Sequence, residues 1–181
     1  VGHTQSTAAF DTNFAYGYLT SFDSDGFTIQ SGSSSIENLN ETNKNYVSWN
    51  WKCGGAPTAT NSANIGAAPT SGSVMIDGVA SSSAVAGTLL TKKLTANTQS
   101  GVSTSIYVGN GAGSGSFAHG LGKKPRFVLH KRINASDSWI AHWQIGTGVL
   151  SCALNNSLAV GTNDTTYGTH TTDVVTMISS S

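Results

Sequence analysis

From Val102 to Val108, Val102, Thr104, Ile106 and Val108 alternate with Ser103, Ser105 and Tyr107, and the run stops at Gly109-Asn110-Gly111-Ala112-Gly113-Ser114-Gly115. A period of two puts one set of side chains on each face of an extended strand, and a glycine-rich stretch ends it. The same punctuation recurs along the chain. Asp23-Ser24-Asp25 precedes Gly26-Phe27-Thr28-Ile29, and Tyr46 to Lys52 places Val47, Trp49 and Trp51 on one face. Val74-Met75-Ile76 and Val79 flank Asp77-Gly78, a dipeptide favoured in type I′ turns. Leu89 to Thr95, Arg126 to Lys131, Trp139/Ala141/Trp143 and Val149 to Leu154 read as further strands. No window of helical length keeps an apolar stripe at period 3.6. The expected class is all-β, built as β-sandwich or jelly-roll-like modules of short antiparallel strands.

Composition narrows the alternatives. Only 10% of the 181 residues are charged and the formal net charge is zero, while 38% are hydrophobic. Disorder normally combines low hydrophobicity with high net charge, so a folded chain is expected. A chain with nine basic residues balanced by nine acidic ones lacks the positive field that nucleic acid requires. Its one basic run, Lys123, Lys124, Arg126, Lys131 and Arg132, reads as a solvated strand edge. No segment approaches the roughly 20 apolar residues of a membrane span. The chain starts at Val1 without a signal-peptide pattern, so it reads as a processed piece of something longer.

Residues 56–73, rich in Ala, Pro, Thr, Asn, Ser and Gly, mark the best boundary. The expected organisation is the C-terminal part of a first β module at 1–55, a connector with a hairpin at 56–100, and most of a second module at 101–181. A faint internal similarity supports repetition. At an offset of 148, Asp25, Phe27, Thr28, Ile29 and Ser31 align with Asp173, Val175, Thr176, Met177 and Ser179.

Residues able to do chemistry are scattered. Asp23 and Asp25, two apart, would share a face of an extended segment, as a glycosidase pair or cation site requires. An Asp-rich turn before a strand is the preferred reading of them. Of the five histidines, His3, His119, His130, His142 and His170, His130 and His142 fall in strands that could be neighbours. No Cys or carboxylate stands beside them at ligand spacing, so no metal is expected. There is no Gly-x-Ser-x-Gly elbow, and no Gly-Lys-Ser/Thr follows the glycine-rich run, so neither a hydrolase triad nor a phosphate cradle is expected. Cys53 and Cys152 are too few and too far apart for a disulfide framework. The tryptophan pairs Trp49/Trp51 and Trp139/Trp143 read first as core, with a carbohydrate-stacking platform as the second reading.

Several of these runs, taken in order, resemble a known module. They are Tyr46-Val47-Ser48-Trp49-Asn50-Trp51-Lys52, Tyr107-Val108-Gly109-Asn110-Gly111, His119-Gly120-Leu121-Gly122-Lys123-Lys124-Pro125-Arg126-Phe127-Val128-Leu129 and Trp139-Ile140-Ala141-His142-Trp143. Together they resemble a module repeated in bacteriophage tail-fibre and virion structural proteins of the marine phage type. Gly72 to Gly78 resembles the insert that joins two such modules. Cys53 stands where a small residue such as Ala is more usual, and the final strand of the second unit has no counterpart here.

The resemblance implies a non-enzymatic structural component of a virion appendage, a tail fibre or a capsid fibre or decoration, on the particle surface. It implies other virion structural proteins as partners, homo-oligomers with trimers favoured, and a receptor-contacting role, for which the aromatic residues themselves offer Trp139 and Trp143 as contacts with a host surface glycan. It brings no catalytic residue, cofactor, metal, nucleic acid or membrane partner. A carbohydrate-binding module is the alternative, and a polysaccharide-degrading tailspike using Asp23 and Asp25 comes third.

Overall fold

A computed structural model of the chain describes residues 7, 14–34, 39–145, 148–157, 160–162 and 168–178. Among these the protein is all-β, with no α-helix and one 3-10 turn at Phe14–Tyr16. The strands are β1 (Tyr18–Phe22), β2 (Phe27–Gln30), β3 (Val74–Ile76), β4 (Val79–Ala80), β5 (Leu90–Asn97) and β6 (Val102–Val108), followed by β7 (Ser114–Ala118), β8 (Phe127–His130), β9 (Ile140–Ile145), β10 (Gly148–Ala153), β11 (Gly161–Thr162) and β12 (Val174–Ile178).

The chain divides into two compact units. The smaller comprises Val1–Trp49, His130–Ile140 and Ala153–Ser157. Its clearest element is the β1–β2 hairpin, in which Leu19 faces Ile29 and Phe22 faces Phe27. Asp23 closes the turn. Its N–H donates to the Gly26 carbonyl (2.9 Å), and its carboxylate accepts from Ser21 Oγ (2.9 Å) and Thr28 Oγ1 (2.8 Å).

The larger unit comprises Asn50–Leu129, Ala141–Cys152 and Leu158–Ser181. A four-stranded mixed sheet, ordered β4-β3-β5-β6, supplies most of its core. Asp77 and Gly78 both have positive φ, 53° and 86°, as a type I′ turn requires, so β3 and β4 form the hairpin that the dipeptide predicts. β3 then runs parallel to β5, with Val74 beside Leu94 and Ile76 beside Ala96.

β5 shows how one extra residue sets a core. Its ladder with β6 slips between Thr91 and Lys93, leaving Lys92 as a bulge. The slip changes the phase of the alternation, so Thr91 is buried on one side of it and Leu94 and Ala96 on the other. The carbonyls exposed at the bulge are taken up by Asn61. Its backbone N–H donates to Lys92 O (2.8 Å) and its side-chain Nδ2 to Thr91 O (2.9 Å).

Two apolar clusters result. Val74, Leu94 and Ala96 pack with Ala118 and Leu121. Leu89, Phe117 and Val175 form the other, with Tyr107, Val128 and Met177 at its margin. The sheet thus lays one face on the antiparallel β7–β12 pair, in which Val175 opposes Phe117. A second four-stranded sheet, β11-β10-β9-β8, completes the strand set.

Three expectations need correction or refinement. Residues 44–53 form no strand, and Val47, Trp49 and Trp51 are 71%, 73% and 68% exposed, so that alternating run is not an inward face. Alternation marks which side chains would share a face, but a strand also needs a neighbour to complete its ladder. Second, the segment 56–100 does not behave as a spacer. It carries β3, β4 and β5 and contributes Val74, Leu89, Leu94 and Ala96 to the core, while Asn61 pins its polar loop to the bulge. Third, the strand-and-turn reading misses β1 and β7, whose sequences Tyr-Leu-Thr-Ser-Phe and Ser-Gly-Ser-Phe-Ala carry little alternating signal. The internal offset does align two strands: Phe27, Thr28 and Ile29 lie in β2, and Val175, Thr176 and Met177 in β12. Ser179, its last position, lies outside the described residues.

Candidate functional site

The tryptophans expected to touch a host glycan are only partly available to one. Trp143 lies on β9 and is half-buried. Trp139, just before that strand, is also half-buried. Its N–H donates to Asn155 Oδ1 (2.9 Å), and its carbonyl accepts from the Leu154 N–H (2.9 Å). Ala141 between them is buried, as the inward reading of that strand requires. The freely exposed indoles are instead Trp49, in the smaller unit, and Trp51, in the larger.

Asp23 is committed to the hydroxyls of Ser21 and Thr28 in an exposed hairpin, which is the turn role open to it from sequence. The basic run divides between the units. Lys123, Lys124 and Arg126 are exposed in the larger. In the smaller, Lys131 Nζ donates to the carbonyls of Thr7 (2.9 Å) and Asp137 (2.8 Å), and Arg132 Nε lies 3.8 Å from Asp137 Oδ2. Cys53 and Cys152 are free thiols, both half-buried.

What the structure does assemble is a group of buried histidines in the larger unit. His119 follows β7, His142 lies in β9, and His170 precedes β12. All three are at most 3% exposed. His119 Nδ1 accepts the Leu121 N–H (3.1 Å), and its Nε2 meets the Thr171 carbonyl (3.3 Å). His170 Nδ1 accepts the Thr176 N–H (3.3 Å), and its Nε2 lies 3.3 Å from His142 Nδ1, the two rings edge to face.

A ring nitrogen that accepts a backbone N–H carries no proton, so in neutral His119 and His170 the proton sits on Nε2. His119 then donates to Thr171, and His170 donates to His142. Burial pushes the pKa of His119 down, opposed by the Thr171 carbonyl and the Asp173 charge. Burial also lowers His170, helped by the positive charge of Lys124 and by the repulsion a protonated His119 would add. His130, half-buried in β8, is likewise lowered by burial against the opposing charge of Asp137.

Sequence spacing flagged His130 and His142 through neighbouring strands. β8 and β9 are indeed neighbours, but the ring that meets His142 belongs to His170, 28 residues away. Only the path of the chain after β11 could reveal that pairing. His3 lies outside the described residues. Among the described residues, no group of three His, Cys, Asp or Glu side chains is placed to hold a metal ion, and no helix is long and apolar enough to cross a membrane.

Comparison with known proteins gives one family. A domain of unknown function, DUF7483, matches residues 3–77 and again residues 75–181. The chain belongs to this family. No curated protein and no solved structure matches it. The two DUF7483 matches meet within β3, which is hydrogen-bonded on one side to β4 and on the other to β5. The seam between them therefore falls inside a continuous sheet, and residues from both matches build the larger DUF7483 unit.

Proposed function

We propose that the chain is a non-enzymatic structural component of a bacteriophage virion appendage, a tail fibre or a capsid fibre or decoration, displayed on the particle surface. The observation that carries this reading is that one family's model matches two stretches along the 181 residues, 3–77 and 75–181. Repetition of a small module extends a structure in one direction, each unit packing on its neighbours, and here the two matched stretches share the β4-β3-β5-β6 sheet. The resemblance of the ordered runs from Tyr46 to Trp143 to repeated tail-fibre modules points the same way.

The physical character of the molecule suits this role. A sparsely charged surface over short strands and tight turns, such as the Asp77-Gly78 hairpin and the Asp23 turn, fits an exposed structural part. In this reading the modules are sandwich-like, the partners are other virion structural proteins, and the appendage is a symmetric homo-oligomer with a trimer favoured. Contact with a host surface is made at the distal end.

The test is localisation. Antibodies against the chain, applied to purified phage particles and viewed by negative-stain electron microscopy, label an appendage at regular positions. Antibody that labels no particle while the chain remains in the soluble lysate fraction refutes the proposal.

A carbohydrate-binding module is the second reading. Exposed indoles are favoured sugar-stacking surfaces, and Trp49 and Trp51 each offer one. Glycan-array binding lost in Trp49→Ala or Trp51→Ala, but kept in Trp139→Ala and Trp143→Ala, would support it.

A further inference from the structure

We propose that His119, His142 and His170 form an acid-released clasp that holds the segment from Gly168 to Ile178, and with it β12, against β7. The proposal goes beyond the virion reading and does not depend on it.

The geometry leaves no room for a second proton. On both His119 and His170 the only ring position that could accept one is Nδ1, and each Nδ1 already faces a backbone N–H, from Leu121 and Thr176 respectively. A proton there would set donor against donor and break that bond. It would also place a cation among rings that water barely reaches. His142 is bound into the same chain through its Nδ1, which accepts from His170.

The charges bearing on the rings come from several elements. Lys124, in the loop before β8, disfavours a charge on His170, as does His119 at the end of β7. His142 approaches His170 from β9. Asp173, on the clasped segment itself, favours a charge on His119, although its carboxylate also accepts from Thr172 Oγ1 (2.9 Å). The Thr171 carbonyl and one carboxylate thus oppose burial, Lys124 and the mutual repulsion of the rings.

The clasp ties the segment to its surroundings at two points, the Thr171 carbonyl, met by His119, and His170 Nε2, which meets His142 of β9, while the Thr176 amide fixes the His170 ring within the segment. The segment's other ties include its ladder with β7, the bond from His119 N–H to Asp173 O (3.3 Å), the Tyr107 hydroxyl on Met177 Sδ (3.4 Å), the packing of Val175 with Leu89 and Phe117, and its own turn bonds. β5 and β6 hold each other through a longer ladder in which no histidine takes part. Loss of the clasp therefore loosens β12 first, and leaves the β5–β6 sheet in place.

The sign of the pH dependence follows from linkage. Both His119 and His170 are lowered from an ordinary value of 6.5, so below 6.5 the opened segment binds protons that the closed one refuses. The clasp is complete above 6.5 and weakens as pH falls from there through the lowered values.

Hydrogen exchange on the whole chain, corrected for intrinsic rates, tests this at about pH 7.5 and about pH 5. The expected result is a loss of protection of about tenfold or more at 114–118 and 174–178, with 90–97 and 102–108 unchanged. In the variant His119→Gln/His170→Gln, whose amides cannot titrate, the difference between the two pH values disappears. Long-range proton–nitrogen NMR of the unaltered protein provides a readout that does not need the variant to fold. It should show Nε2–H tautomers for His119 and His170 at neutral pH and titration midpoints below the ordinary value. An Nδ1–H tautomer, a midpoint at or above that value, equal protection of 174–178 at both pH values, or loss in step with 90–97 would overturn the proposal.

Discussion

The ring of Tyr107 lies flat on that of Phe117, their centroids 4.3 Å apart and their planes 12° from parallel. This stack joins β6 of the four-stranded sheet to β7 of the two-stranded one, at the edge of the cluster formed by Leu89, Phe117 and Val175. Replacing Phe117 with Ala removes both the stack and a buried ring, so it should cost about 3–5 kcal/mol. Urea unfolding of the variant against the unaltered chain measures this. A loss no larger than that of a typical surface change would mean that the two sheets do not depend on this contact.

The phenol of Tyr107 carries a second signal. Its hydroxyl donates to Met177 Sδ at 3.4 Å, and burial pushes its pKa from 10.0 up to about 12. The folded state therefore keeps its proton between those values while the unfolded chain gives it up. Stability attributable to this group is whole below pH 10.0 and declines as the solution passes toward about 12. Ultraviolet titration should show one late tyrosine, absent in Tyr107→Phe, whose stability should also fall less steeply over that range.

Gly120 and Gly122 have nearly the same backbone, with φ of 67° and 63°, but opposite surroundings. A Cβ on Gly120 would lie 2.6 Å from Ile76 Cδ1 and 2.8 Å from Leu94 Cδ2, whereas nothing stands within 4 Å of one on Gly122. Gly122→Ala should cost about 1 kcal/mol, the strain of a left-handed residue. Gly120→Ala adds overpacking and should cost about 1–3 kcal/mol more. Thermal melts of the two variants compare these costs, and equal shifts would contradict the packing described for this turn.

Asn61 offers a test of how firmly the polar loop is held. Beyond its bond to Thr91 O, its Oδ1 accepts from the N–H groups of Ala63 and Thr70, each at 3.0 Å. Asn61→Ala strands a buried carbonyl and should cost about 1–3 kcal/mol. Asn61→Asp preserves the acceptor but turns an oxygen toward the Thr91 carbonyl, so it should not rescue stability at neutral pH. Equilibrium denaturation of both variants decides this, and an Asp variant as stable as Asn would show that the amide donor is dispensable.

Local features could be read directly from residues. The alternation from Val102 to Val108 became β6, and the positive φ at Asp77, Gly78, Gly120 and Gly122 follows from turn chemistry that each short stretch carries within itself. Period and turn preference depend on backbone sterics within a few residues, so the amino-acid order alone determined an all-β chain and much of its strand set. The tertiary structure decided which faces are buried, because burial depends on what lies opposite. Trp49 and Trp51 alternate cleanly yet face solvent, and in β6 it is Ile106 and Val108 that are exposed and Ser105 and Tyr107 that are half-buried, while the weakly patterned Phe117 and Ala118 of β7 enter the core. It also decided the histidine group, whose members come from positions 119, 142 and 170 and meet through bonds to a distant backbone. Such contacts are fixed by the path of the chain between strands, on which the spacing of the histidines carries no information.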